Sequence, residues 1–225
     1  MNKIVIGIDG PASSGKSTVA SKIAECFGIL HLNTGSMYRA FAYCCKQNNV
    51  NFDDEKTVVD TINNCDLKIK FENGKQQDYL NGALVTPYLR DEEIGKGSSI
   101  ISQYALVRQK AVQIQRNLAD NMSVVMEGRD ITSEVLPNAD FKFFITATAE
   151  ERANRRYKEL VSKNIVCNYE TILNEVKQRD ERDTTRKISP LKLVSDALFI
   201  DTTNLTIEQV IEKIINHIKK NKKNA

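Results

Sequence analysis

The string Gly10-Pro11-Ala12-Ser13-Ser14-Gly15-Lys16-Ser17 holds the densest chemistry in the chain. It matches G-x-x-x-x-G-K-[ST], and Thr18 follows it. Glycines at both ends let the backbone wrap a phosphate closely, so that successive N–H groups form an anion nest. A helix starting at the loop adds the favourable end of its dipole. In that setting Lys16 can bridge β- and γ-phosphates, and the Ser17 hydroxyl can ligate Mg²⁺. Gly10 to Thr18 are therefore the expected ATP-binding residues.

A second set of residues suits phosphate chemistry. Arginines stand where helices and strands are expected to end: Arg39, Arg90, Arg108, Arg129, Arg152, Arg155, Arg156, Arg179, Arg182 and Arg186. Phosphoryl transfer between two phosphates gathers several negative charges, and bidentate, permanently charged guanidinium groups are suited to hold them. The loop alone does not separate a kinase from a GTPase switch or a motor ATPase. No Asn-Lys-x-Asp or Asp-x-x-Gly string is present, and the chain is short for most motors. The arginines favour a small-molecule kinase.

The elements that must position these groups read as alternating strands and helices, hence a parallel sheet. Lys3 to Ile8 is a buried strand before the loop. Ser17 to Phe27 is a helix stopped by Gly28. Leu30 to Leu32 is a strand, Gly35 to Gln47 a helix, and Asp53-Asp54-Glu55 opens another. The alternating Leu67 to Phe71, the Asn73-Gly74 turn and the run Asp78 to Leu84, broken by Asn81-Gly82, predict a small antiparallel insertion. One helix is expected over Ile94 to Asn117. Strands follow at Val124 to Met126 and Phe141 to Ile145, then helices at Ala149 to Ser162 and Tyr169 to Arg179. Leu198 to Ile200 is the last strand and Thr206 to Ile218 the last helix. Lys219 to Lys223 reads as a frayed, solvated basic end.

Composition sets the limits. The 225 residues suit one α/β domain with an insertion, and 41% hydrophobic with 27% charged residues is an ordinary globular balance. A net charge of +3 is too small to mark a nucleic-acid binder. No apolar run approaches the ~20 residues of a membrane span, and no signal peptide is evident. Five cysteines, Cys26, Cys44, Cys45, Cys65 and Cys167, without CxxC spacing, predict free thiols in a reducing cytosol rather than disulfides or zinc. His31 and His217 are isolated and read as packing residues. Cys44 and Cys45 read as helix packing, as do the aromatic rings of Phe41, Tyr43, Tyr104 and Tyr157. A monomer is expected, since no spare apolar helix face is evident.

Asn33-Thr34-Gly35-Ser36-Met37-Tyr38-Arg39, Glu127-Gly128-Arg129-Asp130-Ile131 and Arg179-Asp180-Glu181-Arg182-Asp183-Thr184-Thr185-Arg186 join Ile8-Asp9-Gly10-Pro11 in a pattern that resembles the bacterial cytidylate kinase family. The resemblance covers nearly the whole chain, including Ile207 to Ile211. It implies a single P-loop NTPase fold: a five-stranded parallel sheet flanked by helices, a small antiparallel β-insertion and a helical lid. The core would be residues 1–35, 118–150 and 187–225, the monophosphate-binding region about 36–117 and the lid about 151–186. The implied reaction moves the γ-phosphoryl of ATP, with Mg²⁺, to CMP or dCMP in the cytoplasm.

By the same resemblance, Thr34 and Arg39 would face the acceptor's phosphate and sugar side. Ser99, Arg108 and Asp130 would read cytosine, with the Asp130 carboxylate accepting from the exocyclic amine where uracil offers a carbonyl. Arg129 and Arg179 would hold the acceptor phosphate, Asp183 the sugar hydroxyls and Arg186 a phosphate. Lys16, Arg129, Arg179 and Arg186 would carry catalysis. Arg152, Arg155, Arg156 and Arg182 would swing with the lid over the transferred group. Glu127 would support the Mg²⁺ held by Ser17. The alternatives are a kinase for UMP or AMP and a non-kinase nucleotide switch. Three departures stand out: Asn33 replaces the usual Asp, Thr132-Ser133 replaces Gly-Thr, and Ala83-Leu84 replaces an acidic pair.

Overall fold

The computed structural model describes residues 3–222. Its central sheet has five parallel strands in the order β2-β6-β1-β7-β8: β1 Val5–Asp9, β2 Leu30–Asn33, β6 Val124–Gly128, β7 Phe141–Thr146 and β8 Leu198–Asp201. Alternation along β1 divides the core. Ile4, Ile6 and Ile8 pack beneath α1 Lys16–Phe27 and α8 Ile207–Lys222, through Val19, Ile23, Val210 and Ile214. Val5, with Leu32, Val124 and Met126, faces α2 Thr34–Gln47, α4 Glu92–Ile101 and α5 Ala105–Asn121. Both faces are covered, so the central strands are apolar throughout, as a parallel sheet requires.

The helices start where short polar side chains can take orphan N–H groups. The Asn33, Thr148 and Asn168 side chains cap α2, α6 Ala149–Ser162 and α7 Tyr169–Thr185. Asp54 caps α3 Glu55–Asn63. Thr206 and Gln209 exchange bonds at the start of α8, a capping box. Gly28 closes α1 at φ 62°.

The small antiparallel insertion has three strands, β3 Leu67–Glu72, β4 Lys75–Leu80 and β5 Ala83–Leu84, the last two parted at Asn81-Gly82. Other expectations need correction. The helix expected over Ile94 to Asn117 is two, α4 and α5. The chain turns at Ser102-Gln103, and Tyr104, extended, donates its hydroxyl to Phe52 O at 2.9 Å. Helix α7 runs on to Thr185 and carries Arg179, Arg182 and Asp183 on one element. The basic end is no frayed tail as far as Lys222, for α8 includes it; Lys223 lies outside the described residues.

Cysteine pairing also differs. Cys44 of α2 and Cys65, just past α3, form a disulfide, while Cys26, Cys45 and Cys167 are free. Spacing hid the pair because it arises from packing: α2 and α3 lie side by side and bring together residues 21 apart. Unfolded without reductant, the protein is expected to titrate three thiols, and five after reduction. Five thiols from the outset would refute the bond.

Candidate active site

Strand register assembles the site. Asn33 of β2 is level with Glu127 of β6, and Glu127 with Ile8 of β1, so three strands end together at one edge of the sheet. Ligands of open parallel sheets bind beyond this carboxyl edge. The phosphate-binding loop leaves β1 here. Gly10 has φ 148°, and a Cβ there would lie 1.9 Å from Ile145 O, so only glycine fits. Gly15 follows at φ 92° and leads into α1.

Beneath the loop, Asp9 is fully buried. Its carboxylate accepts from Ile131 N at 2.8 Å, Thr132 N at 2.7 Å and Thr132 Oγ1 at 2.6 Å. The threonine that departs from the family string therefore ties β1 to the single π turn Ile131–Val135. Burial pushes the Asp9 carboxyl up against the downward pull of these bonds.

Lys16 is buried and donates to Pro11 O at 2.6 Å. Burial, with Arg129 nearby, lowers its ammonium to about 7. A bound diphosphate favours the charged form, so ADP binding above pH 7 is expected to take up about one proton, falling towards none below pH 6. Calorimetry at pH 8 in buffers of different ionisation enthalpy checks this; equal heats in all buffers would count against it.

Glu127 is buried, with Oε1 3.4 Å from His31 Nε2 and without a hydrogen bond of ideal geometry. Burial raises its carboxyl, but His31, Lys16 and the Ser17 hydroxyl outweigh that and hold it below the usual range. Ser17 is exposed, and Asn33 Nδ2 stands 3.5 Å from its Oγ. Among the described residues no cluster of three metal-ligating side chains occurs. A charged carboxylate behind an exposed hydroxyl instead suits a cation carried in by nucleotide phosphates.

A second, arginine-rich cluster is built from α2, α5, the end of β6 and the α6–α7 hairpin. Asp130 is buried between two guanidinium groups. It accepts a very short bond from Arg108 and lies 3.6 Å from Arg186 Nη2. Arg108 also donates to Ser102 O at 3.1 Å and lies over the Tyr38 ring at 5.7 Å. Ser99 Oγ, Arg108 Nε and Arg186 Nη2 are buried without hydrogen-bond partners among the described residues. Buried donors left unsatisfied are costly in a folded core and are a mark of a ligand site.

Beside it, Arg129 Nε donates to Asp183 at 2.8 Å. Burial tends to raise the Asp183 carboxyl, but Arg129 and Arg179 hold it low. Arg179 sits among Arg129, Arg39 and Arg182. Burial and then Arg129 depress its guanidinium to about 10. Arg39 donates to Leu89 O at 2.8 Å and lies against Gly95. Thr34 is buried and donates to Glu127 O at 2.8 Å, tying α2 to β6.

The hairpin arginines differ from one another. Arg152 is buried, donating to Ala12 O at 3.3 Å and paired with Asp180 of α7. Arg155 bonds Thr202 Oγ1 at 3.0 Å and Thr202 O at 2.8 Å, tying the hairpin to the loop after β8. Arg156 pairs with Glu159, and Arg182 is exposed. His31 beside Glu127 is a partner that sequence spacing concealed, since β2 and β6 lie far apart in the chain. His217 packs edge-on to Phe143 at 5.7 Å. Of the aromatic residues, Phe41 is buried, Tyr43 stacks on Tyr88, and Tyr157 meets Tyr169 edge-on.

A phosphate-binding loop at the carboxyl edge of this sheet, together with an arginine-rich cluster, defines a P-loop small-molecule kinase. The fold is shared with shikimate kinase from Bacteroides thetaiotaomicron (TM-score 0.50, 10% identity, 96% of this chain and 98% of that one). An uncharacterized protein from Eubacterium ventriosum shares it at TM-score 0.55 and 15% identity, over 96% and 99%. In sequence, residues 6–220 match the cytidylate kinase family. The chain is 43% identical to a cytidylate kinase of Caldicellulosiruptor bescii over 100% of this chain and 99% of the relative. It is 42% identical to one of Bacillus subtilis over 96% and 97%. The chain belongs to the cytidylate kinase family.

Proposed function

We propose that the protein transfers the γ-phosphoryl of ATP to CMP or dCMP, yielding ADP and CDP or dCDP. The observation that carries this reading is Asp130 held between Arg108 and Arg186, each of which keeps a buried nitrogen without a partner among the described residues. A buried carboxylate accepts from an exocyclic amine and repels a carbonyl, and a site built on such a bond can discriminate by ~10⁴. UMP and AMP present different edges and fit this arrangement less well.

ATP lies along Gly10 to Thr18, its phosphates in the nest beside Lys16. Arg129 and Arg179, with Arg186 nearby, hold the acceptor phosphate, and Asp183 takes the sugar hydroxyls. Ser17, backed by Glu127, would hold Mg²⁺, which would supply positive charge to the phosphate oxygens. The region 36–117 seats the monophosphate. The lid, 151–186, closes with Arg152, Arg155, Arg156 and Arg182 and keeps water from the γ-phosphate. No helix among the described residues is long and apolar enough to cross a membrane. We read the enzyme as a cytoplasmic monomer acting on small molecules without nucleic acid.

The test is ADP release from ATP and Mg²⁺ with CMP, dCMP, UMP, AMP or no acceptor. Fast release with CMP and dCMP alone is expected. The same slow release in every tube would replace the kinase reading with an ATPase.

A further inference from the structure

The β-insertion reaches into the nucleotide site through a buried polar chain. Asp78 of β4 is fully buried, yet among the described residues no cation pairs with it. Its carboxylate accepts from Ser36 Oγ at 2.6 Å and from Gln76 Nε2 at 2.8 Å. Gln76 clasps the backbone of Asn33 from both sides: Asn33 N donates to its Oε1 at 2.8 Å, and its Nε2 reaches Asn33 O at 3.3 Å. Ser36 N donates to Asn33 Oδ1 at 3.1 Å, which turns Asn33 Nδ2 toward Ser17 Oγ.

The hydrogen-bond directions follow. An amide nitrogen only donates, so Ser17 Oγ accepts from Asn33. With one lone pair taken by Asn33, the other is left for a cation. An unpaired carboxylate is costly to bury and must be fully hydrogen-bonded. Asp78 fixes two donors that would otherwise rotate, and through them the rotamer of Asn33.

We propose that Asp78 is a positioning residue for the cation side of the ATP site: through Ser36 and Gln76 it orients the Asn33 amide, which orients the Ser17 hydroxyl. This rests on the reading of Ser17 as the hydroxyl that meets Mg²⁺. It relocates the acid that position 33 lacks to a strand of the insertion, two hydrogen bonds away.

The experiment compares ADP binding with and without Mg²⁺, by calorimetry and without any acceptor, so it stands whichever nucleotide the enzyme phosphorylates. The gain in ADP affinity from Mg²⁺ is expected to fall about tenfold in Asp78→Val, the usual scale for losing an outer-shell contact. Metal-free ADP affinity should stay within about twofold. Ser36→Ala, a milder change, should move the gain in the same direction and serves if Asp78→Val does not fold. In an Asn33→Ala background Asp78→Val should add nothing further, because the effect runs through Asn33. An unchanged Mg²⁺ gain, or additive effects in the double variant, overturns the proposal. A wild-type protein that gains nothing from Mg²⁺ overturns it together with the metal reading.

Discussion

Replacing Arg179 by alanine is expected to lower kcat by about 10³ or more while leaving the melting temperature unchanged or slightly raised. The two halves of this expectation have one cause. Arg179 stands among Arg129, Arg39 and Arg182 with Asp183 offsetting them only in part, and burial with the net repulsion depresses its guanidinium to about 10. A buried donor, Arg179 Nε, is left without a partner among the described residues. The folded protein thus holds this charge against burial and repulsion, and such strain collects where a ligand relieves it. An incoming phosphate supplies the missing negative charge, most strongly as it spreads over the transferred group. Steady-state kinetics beside a thermal melt make the test. A protein that melts lower and turns over normally would place Arg179 in the scaffold instead.

Asp130→Asn is expected to lower kcat/KM for CMP by about 10²–10³ and to narrow the preference for CMP over UMP. Asparagine keeps an acceptor toward Arg108 but also brings a donor to the amine of cytosine. Asp130→Ala is a poorer probe. It strips the counter-charge from Arg108 and Arg186 together, and breaking a buried pair costs about 3–5 kcal/mol. The alanine variant should therefore lose stability and activity at once, whereas the asparagine variant should mainly lose selectivity. CMP and UMP turnover measured side by side decides this. Equal losses for both acceptors would show that Asp130 only supports the arginines.

What the sequence disclosed follows from range. The phosphate loop, its strand and its helix were legible because each signal is contained within a few residues. The strands were legible as apolar runs because both faces of the sheet are covered. Asp9 gave no sign of its role, since its partners at Thr132 lie 123 residues away. Asp78 alternates correctly for a strand and looks like an outward polar residue, while in space it is the most enclosed carboxylate of the insertion. The turn between α4 and α5 carries no glycine or proline to announce it; it exists because Tyr104 is pinned to Phe52. Cys44 and Cys65 were separated by a helix that folds back. In the arginine-rich cluster the residue types were readable, but not that Arg152 and Arg155 would anchor to Ala12 and Thr202.

Strand order also governs how the chain matures during synthesis. β1 is the middle strand, and its hydrogen-bond partners are β6 and β7. The contact from Ile4 to Ser123 closes a loop of 119 residues. At a ribosomal pace of about 5–20 residues per second, β1 waits roughly ten seconds for its first neighbour. During that interval both backbone edges of β1 are unpaired, and Ile4, Ile6 and Ile8 form one apolar face. The nascent chain is thus most vulnerable to aggregation before residue 128 emerges, and a chaperone that holds short apolar strands would do its service in that window.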